Sequence, residues 1–257
     1  MKTRRYKRMR SVNNKKNDDI ALEWDKIAHL RYEQITNGQD VSFTHILLPS
    51  IMSLSARSDY SQIIDVGCGT GVLSEVLFQK ASRLVGVDLS IENIQIARQK
   101  LKHNERTSFI QATIEDYARD ADNTFTLAVA NMTLMTGLSL TAMVKAVHKV
   151  LVPDGHFIFT ITHPCFWPLY WGYAEENWFD YNKEITIEAP FKITLDTSQS
   201  LVTTHIHRPL ENYIKALHDA GFVIDELIEP MPKPEIEHLY PEPWKYPRFM
   251  GFRCIRK

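Results

Sequence analysis

The chain has 257 residues, 44% of them hydrophobic and 24% charged, with a formal net charge of −1, which suits one α/β core with an accessory layer. No apolar run approaches membrane-spanning length, no secretory leader with an apolar middle is visible, and three scattered cysteines (Cys68, Cys165, Cys254) argue against a disulfide framework. A soluble chain in a reducing, cytoplasmic compartment is expected.

The charge is uneven. Residues 1–17 carry Lys2, Arg4, Arg5, Lys7, Arg8, Arg10, Lys15 and Lys16 without one acid, leaving 22 basic against 31 acidic side chains in the remainder. Such a segment suits a nucleic-acid contact, a transit peptide, a disordered solubilising tail or a misplaced start codon. The acidic body behind it would repel a polyphosphate, so a disordered tail is expected and a nucleic-acid partner is not. From Asp18 the pattern becomes helical, with Ile20, Trp24, Ile27, Ala28 and Leu30 on one face and Arg31 and Glu33 opposite; a second helix is expected over Val41–Leu54, interrupted by Pro49.

Ile63-Ile64-Asp65-Val66 is an apolar run ending beyond a carboxylate, followed by Gly67-Cys68-Gly69-Thr70-Gly71, a helix-length interval, and a second apolar run, Leu84 to Asp88, closed by another carboxylate. The pattern is strand, glycine loop, helix, strand: the first βαβ unit of a nucleoside-binding sheet. Glycines let the loop take positive φ and let a ligand lie against bare backbone. Asp88, at the tip of the second strand, is placed to accept hydrogen bonds from ribose hydroxyls. No Lys-Ser or Lys-Thr follows the glycines, which excludes a P-loop. Asp65 separates the remaining ligands, because a carboxylate there repels a pyrophosphate and attracts a cation.

Asp65-Val66-Gly67-Cys68-Gly69-Thr70-Gly71 together with Gly86-Val87-Asp88-Leu89-Ser90 resembles the class I S-adenosylmethionine-dependent methyltransferases, whose cofactor carries an ammonium and a sulfonium and no phosphate. The resemblance implies an α/β fold: a seven-stranded, mostly parallel sheet with helices on both faces and an antiparallel last strand. It implies S-adenosyl-L-methionine as cofactor, held by Asp65, Gly67, Cys68, Gly69, Gly71, Asp88 and Leu89. It also implies that residues 18–57 form a partial helical lid, from which Trp24 and Tyr32 could reach the methionine end or simply pack.

Along the rest of the chain, strands are expected at Ser108–Gln111, Phe125–Ala130 and His156–Ile161, the last after a Pro153-Asp154-Gly155 turn. Gly221–Ile228 and Arg248–Ile255 would complete the sheet. Ligands in such sheets lie beyond the carboxyl ends of the strands. After the third strand the family commonly places an aspartate on the adenine amino group; here Thr113 stands at that position, so Thr113 or the main chain around Ile114 takes the task, with Glu115 and Asp116 as the cap of a following turn. Asn131 and Met132, after the fourth strand, would lie beneath the methionine moiety.

After the fifth strand come Thr162-His163-Pro164-Cys165-Phe166-Trp167. His163 either deprotonates an acceptor or stabilises the turn before Pro164. Residues 163–208 form an aromatic insertion, expected to be a small antiparallel cap with strands near 184–188, 191–195 and 201–206. Phe166, Trp167, Tyr170 and Trp171 would line an acceptor pocket or form the core of the cap. His207 is a second base candidate, and Arg208 could fix an acidic acceptor. A metal site from His163, Cys165, His205 and His207 is not favoured, because no CxxC or HExxH spacing supports it. The proline-rich stretch 229–247 reads as a loop at the pocket rim, ahead of a polyproline ligand for another protein.

The expected function is methyl transfer to an O, N or C nucleophile of a small, flat metabolite. The alternatives are an RNA or protein methyltransferase, which the Ala130-Asn131-Met132-Thr133 stretch does not favour because it lacks the Asn-Pro-Pro-Tyr type of signature, and a non-catalytic cofactor-binding regulator. Residues 18–257 are expected to form one domain.

Overall fold

The computed structural model describes residues 9–102, 105–121, 124–193, 195 and 201–257. In chain order these form β1 (Arg10–Ser11), α1 (Asn17–Thr36), a π-helical turn (Phe43–Leu47) running into α2 (Leu48–Leu54), β2 (Gln62–Val66), α3 (Val72–Phe78), β3 (Arg83–Asp88), α4 (Ile91–Lys100), β4 (Thr107–Gln111), α5 (Ile114–Tyr117), β5 (Phe125–Asn131), α6 (Leu140–Val150), β6 (Leu151–Thr162), α7 (Trp167–Trp171), β7 (Ile185–Pro190), β8 (Val202–His207), α8 (Leu210–Ala220), β9 (Phe222–Ile228), a 3-10 turn (Pro234–Leu239) and β10 (Phe249–Arg256).

The main sheet has seven strands in the order β4-β3-β2-β5-β6-β10-β9. Strands β2 to β6 pair in parallel, and β10 runs antiparallel to both β6 and β9. The expected α/β class and the antiparallel last strand are therefore present. Successive residues serve opposite faces, as the two-residue period requires. Ile64, Ala128, Phe157 and Phe159 pack with α6 and α8, while Ile63, Leu127, Val129 and Ile158 pack beneath α2, α3 and α4. Burial on both faces is what makes these strands read as continuous apolar runs.

Three boundaries differ from expectation. The basic tail does not extend to residue 17. Arg10 and Ser11 pair with Glu188 and Ile187, Arg10 binds Glu188 at 2.7 Å, Lys15 bridges Glu188 at 2.7 Å and also meets Glu23, and α1 begins at Asn17. Acids of the body neutralise these cations and bring the segment into the fold; residues 1–8 lie outside the described residues. Pro49 does not interrupt its helix. The preceding turn widens instead, with Leu48 N–H donating to Phe43 O, and this accommodates the residue that cannot donate. The Pro153-Asp154-Gly155 signal is an irregularity within β6: Leu151 pairs with Phe125, the register then shifts, and Asp154 takes φ +58°.

The insertion carries a three-stranded antiparallel sheet in the order β1-β7-β8. Its third strand comes from the N-terminus and not from 191–195: Phe191, Lys192 and Ile193 are irregular, and Thr194 lies outside the described residues. Helix α1 joins the two sheets. Asp25 accepts from Ser90 Oγ (2.6 Å) and Glu92 N (3.2 Å) on α4, and Glu23 accepts from Thr204 N (2.7 Å) on β8.

Candidate active site

At the carboxyl ends of β2, β3, β4 and β5 lies a cavity of about 270 Å³. Asp65, Gly67, Cys68, Gly69, Asp88, Leu89, Thr113, Ile114, Asn131 and Met132 all line it. Gly67 has φ +67°, and a Cβ there would stand 2.4 Å from the Thr133 side chain, so nothing larger fits. At Gly69 (φ +52°) a Cβ would meet no atom within 4 Å: the backbone is bare toward the cavity. Gly71 is the exception among the expected cofactor residues. Its missing Cβ allows close approach to Ala97 of α4, 2.9 Å away, and it does not line the cavity.

Asp88 is held at the strand tip. Its Oδ2 accepts from Gly69 N (2.9 Å), and its Oδ1 from Ser90 N (2.9 Å) and Asn93 Nδ2 (3.3 Å). Each carboxylate oxygen has two acceptor sites, so Oδ2 retains one for an incoming hydroxyl. Thr113 caps α5 by accepting from Asp116 N at 2.9 Å, while Glu115, expected only as part of that turn, also lines the cavity and has its carboxyl pushed up by burial.

Asp65 is fully enclosed. Burial pushes its carboxyl up to about 7, against the hydrogen bond from Ser74 Oγ (2.6 Å) and with the Asp88 charge adding to the rise. The folded protein thus holds a proton there that the unfolded chain releases near pH 4, so this group's stabilising contribution is present below about pH 4 and lost as pH rises through about 7. A cation in the cavity favours the ionised form and offsets the burial.

A second cavity, of about 260 Å³, opens between α1, the cap and the loop before β10. Trp167, Tyr170 and Trp171 line it from one face of α7; Thr203, Thr204 and His205 from β8; Trp24 and Arg31 from α1; Arg248 from the residue before β10 and Phe249 from its start. The two cavities share Trp24, Arg31, Met132 and Thr136. Met132 sits on that boundary with φ +57°, an arrangement costing about 1–2 kcal/mol for a residue with a side chain. Its N–H is held by Thr160 O at 3.0 Å.

Residues 63–155 match the family described as "Methyltransferase domain". A ubiquinone biosynthesis O-methyltransferase of Yersinia enterocolitica is 26% identical over 100 residues, 38% of this chain and 41% of that enzyme, so the chain spans about two-fifths of the curated relative it matches. The fold also matches solved structures. An S-adenosylmethionine dependent methyltransferase from Mesorhizobium loti has TM-score 0.61 and 24% identity, covering 81% of this chain and 96% of that one. The 1,6-didemethyltoxoflavin-N1-methyltransferase of Burkholderia thailandensis, bound to 1,6-didemethyltoxoflavin and S-adenosylhomocysteine, has TM-score 0.60 and 15% identity, covering 97% and 95%. Residues 63–155 thus correspond to a methyltransferase domain, and the fold around them is shared with S-adenosylmethionine-dependent methyltransferase structures.

Within the methyltransferase domain the cavity at the strand ends has the donor and acceptor set the cofactor requires: a buried carboxylate that favours a cation, a free acceptor site on Asp88, bare backbone at Gly69, and Thr113 and Ile114 at the far wall.

The acceptor side is where sequence expectations need correcting. His163 is buried and does not line either cavity. Its Nδ1 accepts from Cys165 N (3.2 Å), which leaves the proton on Nε2, 2.7 Å from Glu229 Oε1. Strand parity explains this, because Thr162 faces the chamber and the next residue points away. His207 lies two residues beyond the chamber-lining His205, where Nε2 donates to Tyr181 O (3.0 Å) and the rings of Phe179 and Tyr181 cover it. Neither histidine is placed as a base.

Arg208 is 1% exposed and faces inward, donating to Leu134 O (2.9 Å), Gly137 O (2.7 Å) and Glu184 Oε2 (2.6 Å). It positions the loop after β5 and does not line the chamber. Phe166 stacks on Tyr246 outside the chamber. Tyr32 also misses it, with Lys100 Nζ 5.4 Å from its ring centroid. Seven residues from Trp24 return to the same helix face within about 20°, which is Arg31, whereas Tyr32 is turned about 80° toward α4. Arg31, expected on the outer face, therefore lies on the site face, paired with Asp40 at 2.5 Å.

The aromatic residues of the insertion divide between the second cavity and the interior of the cap. Trp167, Tyr170, Trp171 and Phe191 line the chamber, while Tyr173, Trp178 and Phe179 pack on one another. His205, Arg31 and Arg248 line the second cavity, and sequence patterning did not place them there. Among the described residues no group of His, Cys, Asp or Glu could hold a metal ion, and no helix is long and apolar enough to cross a membrane.

Proposed function

We propose that this protein methylates an O, N or C nucleophile of a small, flat metabolite, with S-adenosylmethionine as donor. The observation that carries this reading is the pair of adjoining cavities with a common wall at Trp24, Arg31, Met132 and Thr136. Methyl transfer is a displacement at carbon, so the acceptor must approach the cofactor in line from across that wall; the cofactor supplies the activated methyl group, and the protein supplies alignment and a water-poor slot. Aromatic faces on several sides of the slot suit a planar acceptor.

His205 is the histidine that faces this acceptor. Burial, reinforced by the charges of His207 and Arg208, pushes its imidazole down to about 3. The ring is neutral near pH 7 and presents a hydrogen-bonding nitrogen, which can orient an acceptor hydroxyl or amine; as a weak base it cannot retain the proton, which passes on to solvent. A small-molecule acceptor also agrees with the N-terminal segment, whose Arg10 and Lys15 are engaged with Glu188 and Glu23. Three free thiols fit a cytoplasmic location.

The test is transfer of a labelled methyl group from S-adenosylmethionine into a cell extract divided into low-mass, RNA and protein fractions. Label is expected in a low-mass product. Label confined to RNA or protein, or cofactor binding with no transfer to any fraction, would overturn the assignment.

A further inference from the structure

Among the described residues three arginines are buried: Arg208, Arg248 and Arg253, at 1%, 7% and 2% exposure. Two are neutralised within the fold, Arg208 by Glu184 at 2.6 Å and Arg253 by Glu226 at 2.9 Å and by Asp225. Arg31, the other arginine of the acceptor chamber, is neutralised by Asp40. Arg248 differs. Its guanidinium carbon lies 3.7 Å from the Tyr170 ring centroid and 4.3 Å from that of Trp244, and among the described residues it has no carboxylate or carbonyl partner.

Burying an unneutralised guanidinium costs several kcal/mol, of which two aromatic faces return about 1–2 kcal/mol each. The same burial lowers the ease with which Arg248 holds its proton. Tyr170, Tyr240, Tyr246 and Glu242 are the groups whose charge acts on it, and Glu242 is an exposed residue at the chamber rim. A cation kept in a chamber at this cost, with ring faces occupied and its planar N–H edge left over, is matched by a planar anion that takes two parallel hydrogen bonds.

We propose that Arg248 is the specificity-determining residue of the acceptor chamber and binds a carboxylate carried on the flat acceptor. This deepens the methyltransferase reading and rests on it: the aromatic walls hold the ring, the guanidinium fixes the acid, and the nucleophilic edge is thereby turned toward Met132 and the cofactor cavity. Arg248 lines the acceptor cavity and not the cofactor cavity, so its removal separates the two ligands.

The experiment measures binding by calorimetry to the full-length protein saturated with S-adenosylhomocysteine, using three matched probe pairs: benzoate and benzamide, salicylate and salicylamide, nicotinate and nicotinamide, with phenyl phosphate as a further probe. The acids are expected to bind at least tenfold more tightly than their amides. In Arg248→Met this preference should vanish while S-adenosylhomocysteine affinity stays within twofold. Arg248→Lys, which keeps charge without the planar fork, should retain a preference reduced at least threefold, and it serves where the methionine variant does not fold. No acid preference in the wild type, or an undiminished preference in either folded variant, overturns the proposal; tighter binding of phenyl phosphate than of every acid assigns the subsite to phosphate and overturns it as well. Because these readouts need no turnover, the probe titrations repeated without S-adenosylhomocysteine keep the two readings apart: an acid preference in a protein that does not bind S-adenosylhomocysteine would refute the methyltransferase reading alone.

Discussion

Asp88→Ala is expected to weaken S-adenosylhomocysteine binding about a hundredfold while the protein remains folded. The carboxylate has two roles. Its Oδ2 retains an acceptor site toward the cavity, and the same group holds Gly69 N at 2.9 Å and Ser90 N at 2.9 Å, so it shapes the glycine loop that the ligand lies against. Hydrogen bonds to a charged group contribute about 1.5–3 kcal/mol each, and loss of the ligand contact together with loosening of the loop amounts to about 3 kcal/mol, or roughly a hundredfold. The fold tolerates the change because the carboxylate is itself unfavourably buried, with its pKa raised. Calorimetry on the purified variant checks this; a loss under threefold in a folded protein would remove Asp88 from the nucleoside site.

Arg208→Met is expected to destabilise the protein by about 3–5 kcal/mol and to lower its melting temperature by about 10 °C. The guanidinium ties Leu134 O and Gly137 O, in the loop after β5, to Glu184 in the cap. Removing it leaves the carbonyls of Leu134, Gly137 and Leu138 without this donor, each buried carbonyl costing about 1–3 kcal/mol. Met132, Thr133, Met135 and Thr136 of the same loop line one or both cavities, so ligand affinities should weaken along with stability. Glu184→Gln removes the counter-charge of this buried guanidinium and should also destabilise the protein, by less than Arg208→Met because the amide oxygen can still accept from Nε. A thermal melt distinguishes the cases, since a residue that only met substrate would leave the melting temperature unchanged.

The sequence disclosed the two halves of this site unequally. The residues of the glycine-loop cavity were legible because their positions depend on local geometry. A strand ends, a glycine loop turns, and the residues at strand tips converge wherever parallel strands align, so Asp65, Asp88, Thr113 and Asn131 reach one cavity without knowledge of tertiary packing. The residues of the second cavity come from α1, α7, β8 and the turn into β10, whose meeting is set by packing across long sequence separations. There, single-residue differences decide which side chain faces the site: Thr162 and not His163 by strand parity, Arg31 and not Tyr32 by helical phase. Arg208 and Arg248 are indistinguishable as sequence symbols; one is neutralised in the interior and the other faces the chamber. The N-terminal boundary was obscured for an electrostatic reason, because an acid-free basic run reads as a tail until its carboxylate partners, Glu23 and Glu188, are brought beside it.

That the glycine-loop cavity suits a cation beside Asp65 and not a pyrophosphate is the expectation on which the choice of cofactor turns. Its most direct test is calorimetric titration of the wild-type protein with S-adenosylmethionine at pH 5.5 and 7.5, and with NAD at both. With the Asp65 carboxyl near 7 in the free protein, its proton must leave before the carboxylate can meet the cation. Binding of one S-adenosylmethionine per chain, about tenfold tighter at pH 7.5 than at pH 5.5, with no measurable NAD binding, is the predicted result. Saturable NAD binding, or S-adenosylmethionine affinity that is equal at the two pH values or weaker at pH 7.5, would contradict it.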